Sequence, residues 1–157
     1  MAIPRVDFYI TDPTAGERTR LNLVCRLVDK AYAAGQPTLV VADQPRELAA
    51  LDELLWTNLD SSFIPHDLLP AAASGAEVEA PVLLASSIPA AVPRTLLINL
   101  CAEVPAAAIE FARVLEIPAA GPQGRQQGRE RFRAWRQLGA EPTTHQLGGQ
   151  PKAGRSL

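Results

Sequence analysis

Arg125, Arg129, Phe132 and Arg136 are separated by four, three and four residues, so on a helix turning ~100° per residue they fall within ~60° of one another. Guanidinium groups and a ring sharing one narrow stripe suit a ligand that carries carboxylates or phosphates beside an apolar end. The surrounding segment, 124–138, reads GRQQGRERFRAWRQL and holds five arginines against one glutamate, while the whole 157-residue chain has a net charge of only −2. The cationic character is therefore local. A solvated helix face explains the same composition, and the stripe by itself leaves both readings open.

Motifs for catalysis find little footing. The turn after the first expected strand, TDPTAGER, has one glycine and neither G-x-G-x-x-G nor G-K-[ST], so dinucleotide and P-loop readings gain no specific support. His66 and His145, the only histidines, are not spaced to supply two metal ligands from one element. His66, following Pro65, reads as a loop or interface residue. Ser86 and Ser87 lack a G-x-S-x-G elbow. Asp7, Asp12 and Asp43 fall at expected strand ends, where aspartates commonly cap the next helix. Cys25 and Cys101 are isolated among apolar neighbours and predict buried, reduced thiols. No catalytic residue, cofactor or metal is expected.

The elements that must position the stripe follow from hydrophobic periodicity. Apolar content of 47% and charge of 20% are globular values for a chain of single-domain length. The near-neutral total predicts that any DNA contact is local or indirect. The N-terminus lacks the signature of a signal peptide, and no apolar run approaches the ~20 residues that span a bilayer, so a soluble cytoplasmic protein is expected. Val6–Ile10 reads as a first strand, 15–34 as a helix ending before Gly35, and PTLVVAD as a buried parallel strand. A second helix over 44–58 has Leu48, Leu51 and Leu55 as its core stripe, with Leu54 and Trp56 outside it. Residues 59–81 read as loop with a short strand at 62–64. PVLLASS and RTLLINL are further strands, Pro105–Phe111 begins a helix, and 113–117 is a strand leading to the arginine helix. Pro and Gly in 119–124 predict a frayed first turn there, and 148–157 a disordered tail. Strands alternating with helices predict one α/β domain over 1–147, a mostly parallel twisted sheet flanked by helices. Leu54, Trp56, Phe63, Ile64 and Pro65 cluster in sequence and either fill the core or form a second surface for a protein partner.

VDFYI at the start, LDELLWTNLDSSFIPHDL in the middle and RERFRAWRQLGA near the end together resemble the chi subunit of bacterial DNA polymerase III, over roughly residues 4–147. The order L-D-E-x-L-W, a short spacer and S-F-x-P-H is the most specific part. R-E-R-aromatic-basic-A-aromatic-R matches the family's C-terminal helix. The resemblance implies a non-catalytic accessory protein of the clamp-loader assembly, with a fold like nucleotide-binding proteins but no nucleotide site. It implies as partners the psi subunit, which ties chi to the clamp loader, and the acidic C-terminal tail of single-stranded DNA-binding protein. A helicase resembling XPD pairs with one family member in place of psi.

Carried over by position, Arg125, Arg129, Phe132 and Arg136 form the tail site, with Ile117 as an apolar wall. Arg129 is assigned to the terminal carboxylate, Arg125 and Arg136 to acidic side chains, and Phe132 to the ligand ring. Leu54, Trp56, Phe63 and Pro65 are the psi-binding candidates. Phe132, Arg125 and Arg133 stand where the family often has tyrosine or lysine, which keeps ring and charge but removes a hydroxyl. The alternatives are an enzyme that binds a nucleotide at the sheet's carboxyl edge, and a module that binds single-stranded DNA through arginine and aromatic stacking.

Overall fold

Short β-branched and leucine-rich runs are buried on both sides only when helices cover both faces of the sheet they form. The computed structural model describes residues 3–12, 14, 16–57, 64–68, 80–89 and 95–147. Within them lie β1 (Arg5–Ile10), β2 (Thr38–Val41), β3 (His66–Leu68), β4 (Val82–Ala85), β5 (Leu96–Asn99), β6 (Arg113–Glu116) and β7 (Thr143–Gln146). They form one sheet in the order β3-β4-β2-β5-β6-β1-β7, and every pairing is parallel. Helices α1 (Glu17–Ala33), α2 (Pro45–Thr57) and α3 (Gly121–Gln137) flank it, with a 3-10 turn at Ala106–Glu110. The expected α/β sheet is thus present, and its strands run uniformly rather than mostly in one direction.

Period-two alternation divides the strands between two cores. Val40, Leu84, Ile98, Leu115 and Ile117 cluster with Leu21, Val24 and Val28 of α1 and Leu51 and Leu55 of α2. Leu39, Val41, Leu83, Leu97, Val114 and Phe8 cluster on the other face with Trp135 of α3. Leu54 is a correction: it is buried in the first core, because a helix packed against both α1 and the sheet buries an arc wider than one three-leucine stripe. Trp56 is 57% exposed, with its ring meeting that of His66 edge-on at a centroid distance of 5.3 Å.

Two strands depart from expectation. The strand placed at 62–64 lies at His66–Leu68 instead, Ile64 is buried outside any strand, and Ser62 and Phe63 fall outside the described residues, as does 148–157. His66 is therefore a buried strand residue. Its Nδ1 is 2.8 Å from the Ile64 carbonyl oxygen and its Nε2 2.9 Å from the Asp52 carboxylate on α2, partners that offset the burial of a polar ring. The edge strand β7 has the sequence TTHQ, without apolar alternation, and is held by pairing to β1. His145 stacks on Tyr9 with ring centroids 4.7 Å apart, and its Nε2 lies 3.0 Å from the buried carboxylate of Asp7. Asp7, Asp12 and Asp43 serve separate local roles: Asp12 accepts from Thr14, and Asp43 accepts from the backbone N–H of Ala102. The two cysteines are free thiols, Cys25 buried and Cys101 half-buried, and burial pushes them up to about 11 and about 12.

Arg20, in the first turn of α1, closes the carboxyl edge of the sheet from the α1 side. Its Nε and Nη2 donate to the Ile117 carbonyl oxygen at 2.9 and 2.7 Å, Nη2 also to that of Leu100 at 3.2 Å, and Nη1 to the Glu47 carboxylate at 2.7 Å. Burial and the neighbouring Glu17 push Glu47 up from 4.5 to about 7 against the pull of Arg20. Glu47 Oε1 is buried without a hydrogen-bond partner among the described residues. A carboxyl raised on folding keeps a proton that the unfolded chain has released, so stability falls as pH rises from 4.5 to about 7. Glu47→Gln, which mimics the protonated form, is expected to flatten that slope. Thermal denaturation should then show the variant's Tm changing less than the wild type's between pH 4.5 and about 7.

Candidate functional site

β6 ends on Glu116, and alternation turns this carboxylate toward α3 while its neighbours Leu115 and Ile117 face α1 and α2. Glu116 is fully buried. Arg131 Nε donates to its Oε1 at 2.7 Å and Trp135 Nε1 to its Oε2 at 2.9 Å, while Asn99 Nδ2 lies 3.2 and 3.1 Å from the two oxygens. Arg131 and Trp135 are four residues apart, so one carboxylate grips two consecutive turns of α3. Arg131 Nη1 also donates to the Ala102 carbonyl oxygen at 3.0 Å. Burial pushes the Glu116 carboxyl up, while Arg131, Trp135 and Asn99 pull it down toward the charged form.

Glycine brings the other half of α3 onto the preceding loop. A Cβ at Gly124 would lie 2.1 Å from the Ala119 carbonyl oxygen, and one at Gly128 2.9 Å from the Pro118 ring. Pro122 sits in the first helical positions, where its missing N–H has no intrahelical role. The expected fraying at 119–124 is therefore replaced by a helix that starts at Gly121 and approaches its loop at backbone distance.

With Gly124, Gly128, Arg131 and Trp135 buried, the arginine stripe is left along the border between sheet and solvent. There a groove of about 550 Å³ runs between α3 and the sheet edge. Phe8, Ile10, Thr144 and Gln146 form its floor, from the α3 face of β1 and β7. Arg125, Arg129, Phe132 and Arg133 form one wall, and the 118–120 loop the other. The groove opens at the switch point between β1 and β6, which continue into helices on opposite faces, the position at which open parallel sheets hold ligands. Phe132 packs on Phe8 with ring centroids 5.3 Å apart. Arg129 Nη2 donates to Gln126 Oε1 at 2.8 Å, and Arg125, Arg129 and Arg133 form no ion pair among the described residues.

The structure brings Arg125, Arg129 and Phe132 to one groove and adds Arg133, whose interval of four from Arg129 was a legible signal. Arg136 is exposed but lies outside the groove lining. Ile117 is a correction: it is fully buried on the opposite face of the sheet and forms no wall. The floor residues Thr144 and Gln146 belong to the strand that periodicity hides. A second hollow of about 570 Å³ at the ends of β2, β4 and β5 is lined by Asp43, Glu103, Ser86, Ser87 and Cys101. Its ionisable groups are two acids and a thiol pushed up to about 12, a poor set for phosphate.

A family model described as DNA polymerase III chi subunit, HolC, matches residues 3–143. The chain belongs to the DNA polymerase III chi-subunit family. It is 36% identical over 143 residues to the DNA polymerase III subunit chi of Pseudomonas aeruginosa, covering 91% of this chain and 96% of that one. To the Escherichia coli subunit chi it is 30% identical over 121 residues, 75% and 79% of the two chains. To that of Haemophilus influenzae it is 26% identical over 130 residues, 81% and 87%. In this chi-family chain the matched region contains all of α3 and the Glu116 cluster.

Removing one member of a buried ion pair strands the other, at a cost of ~3–5 kcal/mol. Glu116→Gln is therefore expected to lower unfolding free energy by about that amount in urea denaturation, whereas Arg133→Ala on the surface should stay within ~0.5 kcal/mol.

Proposed function

We propose that the protein is a non-catalytic accessory subunit of DNA polymerase III that joins the clamp loader to single-stranded DNA-binding protein. Its α3 groove receives the acidic C-terminal tail of the latter. The observation that carries this reading is the set of guanidiniums at Arg125, Arg129 and Arg133, without carboxylate partners among the described residues, beside half-buried Phe132 packed on the buried ring of Phe8. A tail rich in aspartate and ending in phenylalanine offers a terminal carboxylate, side-chain carboxylates and a ring, which match those groups one class at a time. Arg129, between the other two, takes the terminal carboxylate, and Arg125 and Arg133 the acidic side chains.

Psi, or an XPD-like helicase in its place, contacts the surface around exposed Trp56 and half-buried Pro65. Leu54 is withdrawn from that surface by its burial. Holding the coated lagging strand by one face and the loader by another raises the local concentration of loader at primed sites without contact to a base. Against the nucleotide reading stand the Arg20 side chain at the carboxyl edge and the acidic lining of the second hollow.

Because the contact is ionic and partly exposed, binding is expected in the micromolar range and should weaken as salt rises. Calorimetry with a tail peptide should show Arg129→Ala binding roughly tenfold or more weakly, ~1.5–3 kcal/mol for a charge-assisted contact. Unchanged affinity would remove the assignment.

A further inference from the structure

β7 ends the sheet at the groove, and its outer edge faces no other strand among the described residues. In a parallel ladder alternate residues turn both main-chain groups to the neighbouring strand, and those between turn both away. The Leu147 N–H donates to the Ile10 carbonyl oxygen at 2.8 Å, which sets the phase: Thr143, His145 and Leu147 point toward β1, and Thr144 and Gln146 point outward. Thr144 and Gln146 are also the β7 residues whose side chains form the groove floor. Two open N–H and C=O pairs, spaced two residues apart, thus border the groove occupied in the tail-docking reading.

We propose that the part of the acidic tail preceding its last residues adds to β7 as an eighth strand, paired with the main chain of Thr144 and Gln146. This rests on the docking of the tail at Arg129. Charge selects the occupant: the groove wall alongside carries Arg125, Arg129 and Arg133, so an extended acidic peptide is attracted. An antiparallel second copy of β7 would instead bring two arginine helices together on one face of the continued sheet. Strand addition takes most of its affinity from main-chain bonds, which makes the tail's upstream sequence tolerant of change provided it stays extended and acidic.

Peptides of two lengths test the proposal on the full chain: a short acidic one ending in phenylalanine, and a version extended at its N-terminus. The extended peptide is expected to bind several-fold more tightly and to slow amide hydrogen exchange at Thr144 and Gln146, which the short one leaves unchanged. N-methylation of the extension should abolish the gain at alternate residues only. Gln146→Pro removes one outward donor while sparing the ladder to β1, and should lower the ratio of extended-peptide to short-peptide affinity. If the short peptide binds but extension neither tightens binding nor protects the two amides, the strand pairing is overturned and tail docking stands. If neither peptide binds, docking fails and the pairing falls with it.

Discussion

The buried carboxylate of Glu116 decides which way α3 faces. By taking donors from Arg131 and Trp135 on two turns and from Asn99 on β5, it fixes the helix in rotation about its axis as well as in position. A helix held only by apolar contacts tolerates some roll, whereas a desolvated charge with hydrogen-bonded partners does not, because each degree of roll lengthens a bond that water cannot replace. The same clamp sorts the arginines. Arg131 is consumed internally, and Arg125, Arg129 and Arg133 are turned to the groove.

The two sides of the switch point between β1 and β6 are finished differently. On the α1 side, Arg20 caps the Leu100 and Ile117 carbonyls and meets Glu47, so the edge is filled from within. On the α3 side, the short residues of the 118–120 loop and glycine at 124 and 128 let the helix sit close to its own loop, and the space left over lies between helix and sheet edge. A sheet topology suited to small ligands thus presents an open, cationic groove with Phe8 and Ile10 in its floor, a shape better matched to a chain end than to an enclosed nucleotide. In this proposed role the protein's chemistry lies in positioned charge.

Much of this was legible in the residues. Runs such as TLVV and LLIN announced buried parallel strands, and the spacing of Arg125, Arg129 and Phe132 announced a shared face. Ile117 lies one residue beyond Glu116, and alternation sends adjacent residues to opposite faces, so its side chain leaves the face that carries α3. Arg131 is one of five arginines in 124–138 with nothing local to mark it as internal, because its partner Glu116 lies fifteen residues away. β7 stayed hidden since its four residues are polar, three of them exposed, and their pairing depends on β1 at the other end of the chain. Pro and Gly at 119–124 suggested fraying because propensity is local, while the close backbone approach to Ala119, which leaves no room for a Cβ at Gly124, is not.

The central claim is that guanidiniums fixed by the Glu116 clamp recognise the negatively charged end of another polypeptide. The most direct measurement compares, by calorimetric titration, an acidic peptide ending in phenylalanine with a free terminal carboxylate against the same peptide amidated at its terminus. The account predicts that amidation weakens binding by about tenfold or more, the loss of one charge-assisted contact. Equal affinity of the two peptides would contradict it.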